Sequence, residues 1–340
     1  MAYSVKYTGE SHQLGGSAKH FVTVYADTTS DMPTPDPAWA AGSELLISEN
    51  GGQKYLLTNA GAWVKVPNFT KAAEGGDDSG QLDAMIERSI TEVNSNAKSV
   101  GEYAFYKNSA VNTVDVPSAT SIGSYAFYDC TGLTSVNLPS ATSVETDAFK
   151  GCTSLSNVNL PSMQNVGREA FYGCTAVNTI NLPSAISIGS YAFKGCTGLT
   201  SVNLPSATSV ETYAFDGCTG ITSVRLPAAN TLGTYAFSYC ENIKTADLHA
   251  AKSIGAYAFY GCKSLETLII RTDSLCSGGS TTTLSYTKIK DGEGYVYVPA
   301  ALVATYKAAT IWKSISSQIR ALEDYTVDGT TTGALDESKI

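Results

Sequence analysis

Seven cysteines, Cys130, Cys152, Cys174, Cys196, Cys218, Cys240 and Cys262, stand at a fixed interval of 22 residues. They are the first residues whose type and spacing invite chemistry. Thiols can ligate metal, form disulfides or act as nucleophiles, and each use places a demand on the sequence. A zinc site wants Cys-x-x-Cys pairs or histidines in step. Neither occurs, and His12, His20 and His249 are scattered. Thiols on parallel neighbours lie within disulfide reach, but seven is an odd number and in-register Cβ vectors suit a bridge poorly. The spacing therefore predicts reduced, buried thiols that donate weakly to turn carbonyls. Cys276 lies outside the column and is expected to be the accessible one.

Catalytic patterns are missing as well. No G-x-S-x-G, phosphate-binding loop, H-E-x-x-H or G-x-G-x-x-G in its required context is present. Residues 130–151 and 196–217 agree at 20 of 22 positions and differ only at Asp147/Tyr213 and Lys150/Asp216. A catalytic site needs singular residues, and near-identical segments supply the opposite. No catalytic residue, metal or cofactor is expected.

The elements that position these residues come from the same period. Ala-Phe pairs recur at Phe105, Phe127, Phe149, Phe171, Phe193, Phe215, Phe237 and Phe259, and Asn108 fills the first cysteine slot. Between them runs an apolar pattern such as Leu133, Val136, Leu138, Pro139, Val144 and Phe149. A repeat in the low twenties with this spacing predicts a leucine-rich-repeat coil, a short strand on one side and a return on the other. One coil cannot bury its apolar face alone, so stability must come from stacking, with both ends capped. The fold class expected is an α/β solenoid, a right-handed stack of eight 22-residue coils over 99–270.

The pattern N/C-x-x-L-x-x-V-x-L-P-x-x-x-x-I-G-x-x-A-F-x-G resembles the BspA-like leucine-rich-repeat family of the treponemal type, over about 99–270. The segment Gly294-Tyr295-Val296-Tyr297-Val298-Pro299, with Tyr306-Lys307 and Trp312, is similar to the C-terminal cap of that family. The resemblance implies a surface or secreted adhesin that binds matrix proteins or other cells, with relatives in gut-bacterial genomes and their prophages. Residues 1–25 contain no apolar signal core, which sets the chain apart from surface-anchored adhesins.

Outside the repeat, 44–48, 53–58 and 62–66 read as a three-stranded meander. It resembles the N-terminal pieces of phage tail and fibre proteins. Residues 1–70 are therefore expected to be an attachment module with a possible virion partner. Residues 71–98 are expected to be a polar linker and a capping helix, with Leu82, Met85, Ile86, Ile90 and Val93 on one face. Residues 271–325 should cap the far end, and 326–340 should form a flexible tail.

Two surfaces are candidates for recognition. On the strand face, the outward column runs Asp115, Asn137, Asn159, Asn181, Asn203, Arg225, Asp247. It is either a concave binding strip, with Asn137, Asn159, Asn181, Asn203 and Arg225 as ligand contacts, or an amide ladder bonded to itself and to water. On the other side, Tyr191, Tyr213 and Tyr235 belong to a tyrosine column that precedes Ala-Phe. These are either convex contact residues or a stack that packs on itself. A net charge of −9 argues against nucleic acid, and no apolar run reaches the ~18 residues of a membrane span. The sequence thus predicts non-catalytic recognition of a cell-surface or matrix protein or glycan, outside the cell or on a virion. The alternative is a structural phage tail component that uses the solenoid as a rigid spacer.

Overall fold

The computed structural model describes residues 98–324 throughout, and beyond them only short strands between residues 3 and 94 and between 326 and 331. In the N-terminal region the expected meander is present as Glu44–Ile47, Gln53–Leu57 and Trp63–Lys65, paired antiparallel. The sequence pattern missed its extension: Val22–Ala26 pairs parallel to Glu44–Ile47, and Tyr3–Tyr7 antiparallel to Val22–Ala26, giving a five-stranded sheet. A hairpin of His12–Leu14 and Ser17–Lys19 lies between those two strands in sequence.

From residue 92 onward the chain winds as a parallel solenoid of stacked coils. Each coil contributes a three- or four-residue strand, such as Ser135–Asn137, and a two-residue return strand, such as Ser143–Val144. Both pair parallel and in register with the next coil, so Val114 faces Val136 and Ile122 faces Val144. The reason is in the alternation. Val136 points inward and is fully buried, while Ser135 and Asn137 on either side point outward, the period of two that a one-sided strand requires. The Ile-Gly of the return strand has a packing cause: a Cβ on Gly189 would stand 2.7 Å from the carbonyl oxygen of Val166 in the coil below.

The eight return strands from Ser99–Val100 to Ser253–Ile254 form one continuous sheet. The other side is divided. Its ladder is interrupted between Asn157–Asn159 and Thr179–Asn181, and again between Ser201–Asn203 and Ser223–Arg225. Val158 and Val202, just before the two joints, are half-buried, whereas Val136 and Ile180 are buried. A third set of bonds runs along the phenylalanine turns, from Phe105 N–H to the Ala126 carbonyl onward to Phe237 and Ala258, and holds the coils together across both joints.

The core is a set of columns. Phe127 through Phe259 are fully buried, and consecutive rings from Phe105 onward stack at 5.1–5.7 Å. Among the described residues, α-helix is confined to the C-terminal segment, at Lys288–Asp291 and Val303–Ala308.

The stack extends past the eight expected coils at both ends. Glu92–Asn94 is a strand paired with Thr113–Asp115, where the apolar spacing had predicted the end of a capping helix. Val93 is buried opposite Val114, so pairing to the first coil outweighs helical spacing at this point. The remainder of that expected helix, and the linker, lie outside the described residues. At the far end Tyr295–Val298 and Ile319–Ala321 continue the strand sheet, with Tyr306, Trp312 and Ile315 buried between them and the last coil. Ile319 is buried from within the strand Ile319–Ala321. Of residues 326–340, Thr326–Val327 and Thr330–Thr331 form an antiparallel pair.

Candidate recognition surfaces

The cysteine column is structural. Each thiol from Cys130 to Cys262 donates to the carbonyl of the phenylalanine 25 residues earlier, at 2.9–3.1 Å. All eight cysteines are free and buried. Burial pushes the Cys130 and Cys196 thiols up to about 12, so they remain protonated and unreactive at neutral pH. Cys276 corrects the sequence expectation. It is fully buried, its N–H donates to the Tyr306 hydroxyl at 2.8 Å, and burial pushes its thiol up to about 12 as well. The C-terminal cap covers it, which the repeat spacing had no means of showing. Thiol titration should find essentially no reaction in native protein and eight free thiols after denaturation without reductant. Fewer than eight would mean that disulfides form.

On the strand face, the side chains in the outward column bond to one another. Asn137 Nδ2 donates to Asp115 at 2.7 Å, Asn159 Nδ2 to Asn137 Oδ1 at 2.6 Å, and Asn203 Nδ2 to Asn181 Oδ1 at 2.7 Å. Each bond fixes which amide edge carries donor and which carries acceptor. Asn159, Asn181 and Asn203 are exposed, and Asn137 and Arg225 are half-buried. The column ends differently from what the sequence suggested. Asp247 is buried, and Arg271 grips it with Nε at 3.0 Å and a terminal nitrogen at 2.9 Å.

On the turn face, Tyr191, Tyr213, Tyr235 and Tyr257 form a four-ring stack with centroids 4.6–4.8 Å apart. All four have φ near 60°, a conformation that bulky residues rarely adopt and that the stack and the turn hydrogen bonds hold in place. The rings are half-buried by one another. Lys194 lies 5.0 Å from the Tyr213 ring and pairs with Asp216 at 3.0 Å, and Arg168 lies 5.1 Å from Tyr191. Burial opposes the charge on Lys194, but Asp216 outweighs it and holds the ammonium above its ordinary value. Asp147 and Glu169 interrupt the stack, and Lys150 pairs with both. The two nearly identical coils thus differ only on this face: Asp147 and Lys150 pair in one, while Tyr213 stacks and Asp216 binds Lys194 in the other.

Among the described residues there is no group of histidine, cysteine or carboxylate side chains that could hold a metal ion. No helix among them is long and apolar enough to cross a membrane.

Stacked 22-residue coils with an inward leucine-valine-leucine strand, an Ala-Phe turn and a buried cysteine define a leucine-rich-repeat solenoid. The chain belongs to the BspA type leucine-rich-repeat family: a BspA type leucine rich repeat region matches in six copies over residues 87–187 and 164–277. That family and fold are generally those of non-catalytic repeat proteins. Among solved structures, the chain is similar to a leucine rich cell surface protein from Faecalibacterium prausnitzii, at 21% identity and TM-score 0.45 over 74% of each chain. It is similar to a T. pallidum leucine rich repeat protein at 28% identity and TM-score 0.39, over 49% of this chain and 71% of that one. A leucine-rich repeat protein from Bacteroides ovatus is similar at 20% identity and TM-score 0.45, over 88% of this chain and 70% of that one. None of the curated proteins compared with the chain matches it.

Proposed function

We propose that this is a non-catalytic recognition protein that binds a protein or glycan of a cell surface through the strand face of its solenoid. The supporting observation is the amide column, in which Asn137 and Asn159 before the first joint, and Asn181 and Asn203 after it, stand in register pairwise with orientations set by side-chain bonds. A ligand meeting such a face need not pay to order it, and preorganisation of this kind raises affinity. Each amide in these pairs keeps a further donor or acceptor for a partner. Arg225 replaces asparagine in the column and adds a charge beside the second joint of the ladder. Residues 1–70 serve as the attachment module, to a virion or another support.

The test is a screen of the full chain against whole bacterial cells, immobilised matrix proteins and an oligosaccharide array. Loss of a neutral hydrogen bond typically costs about 0.5–1.5 kcal/mol, and of one to a charged group about 1.5–3 kcal/mol. Arg225→Ala is accordingly expected to weaken binding more than Asn137→Ala. Equal effects would overturn the role given to Arg225. Failure to bind anything on the screen would leave the solenoid as a spacer.

A further inference from the structure

In each of these coils the residue of the turn directly before the cysteine slot, four before the buried leucine, valine or isoleucine that follows, lies in the left-handed region. Glycine holds this slot at Gly151, Gly173, Gly195, Gly217 and Gly261, with φ of 70–75°. Lys107 and Asp129 hold it in the first two coils. Tyr239 holds it at φ 54°, and Tyr286, its equivalent in the C-terminal turn, at φ 60°. The equivalence follows from the ladder: Gly217 N–H bonds to the carbonyl of Ser238, and Gly261 N–H to that of Ser285.

These two tyrosines differ from the ring stack beside them. Tyr239 is 49% exposed and Tyr286 is 65% exposed, whereas Tyr235 and Tyr257 are half-buried. Tyr260 stands edge-on to both, at 5.4 Å from Tyr239 and 5.1 Å from Tyr286. Gly261 between them is matched to the cluster, since a Cβ there would lie 2.9 Å from Cδ1 of Tyr239. Backbone strain at an exposed aromatic, where glycine serves most other coils, is poorly accounted for by stability. Strain of this kind collects at functional sites.

We propose that Tyr239, Tyr260 and Tyr286 form a subsite for a neutral sugar residue, separate from the strand face. Ring faces suit the apolar C–H face of a sugar, and three phenol hydroxyls suit its hydroxyl groups. Burial, followed by the neighbouring Tyr286 and Tyr239 phenols, pushes the Tyr260 hydroxyl above its ordinary value, so it remains a neutral donor. The nearby Glu241 and Lys263 pair with each other at 2.7 Å, which favours a neutral ligand over an anion. The subsite does not depend on the strand face and would stand if that reading failed.

Tyr239→Gly and Tyr286→Gly test it, because each restores the residue most coils use and leaves the fold intact. The probes are galactose-, mannose- and glucose-based neutral oligosaccharides, with sialylated and sulfated counterparts, presented to the full chain. A neutral oligosaccharide should be retained, and each variant should lower its affinity about tenfold, the size of one aromatic contact. Tyr106→Ser, at the other end of the turn face, should leave it unchanged, and neither glycine variant should melt below the native chain, since glycine relieves the strain. Retention of none of the neutral sugars, preference for the anionic ones, or equal retention by both glycine variants would overturn the assignment. So would loss of a protein ligand alone.

Discussion

Replacing Phe193 by alanine is expected to destabilise the solenoid by about 3–5 kcal/mol, the range for a buried aromatic truncated in a core. Phe193 is fully buried and stacks between Phe171 at 5.2 Å and Phe215 at 5.1 Å. The neighbouring coils cannot collapse into the space, because the return strands and phenylalanine turns on both sides are held by inter-coil hydrogen bonds. Phe105→Ala should cost less, since Phe105 is only partly buried at the start of the column. Urea denaturation of both variants checks the difference. Equal losses would mean that the column does not act as a stack.

The second large effect is expected at Arg271. Its bidentate grip on Asp247 joins two consecutive coils, and Asp247 is 1% exposed. Arg271→Met leaves that carboxylate buried without its cation, and breaking a buried pair in this way typically costs about 3–5 kcal/mol. Adding Asp247→Asn should recover much of the loss, since the buried charge is then removed as well. A loss below about 1 kcal/mol for Arg271→Met would place the pair in the weak class of surface ion pairs.

The repeat was legible because its period fixes every inward residue. Phe127 through Phe259, the thiols and the leucines that flank each strand are buried where spacing alone placed them, while Val158 and Val202 beside the joints are only half-buried. What was not legible depends on contacts the period does not encode. Val93 reads as part of a helical face, but pairing to Val114 decides its state. Cys276 lies outside the repeat, and the distant Tyr306 and Trp312 bond to its backbone and help to cover it. Asp247 looks like one more outward residue of the strand column until Arg271, 24 positions on, closes over it. The exposed tyrosines had a signal that was available: aligning the coils shows Tyr239 in a column where Gly217 and Gly261 flank it. The first interruption of the strand ladder had none, because Asn157–Asn159 and Thr179–Asn181 carry the same residue types as strands that pair.

The two candidate faces separate in one experiment. Binding of the full chain to a ligand retained in the screen should be compared with that of an Asn159→Ala, Asn181→Ala, Asn203→Ala triple variant and a Tyr191→Ser, Tyr213→Ser double variant. Three lost polar contacts at about 0.5–1.5 kcal/mol each predict a fall of at least tenfold for the asparagine variant, with the tyrosine variant close to the native chain. Native-like binding by the asparagine variant, with binding abolished in the tyrosine variant, would contradict the account and move recognition to the turn face.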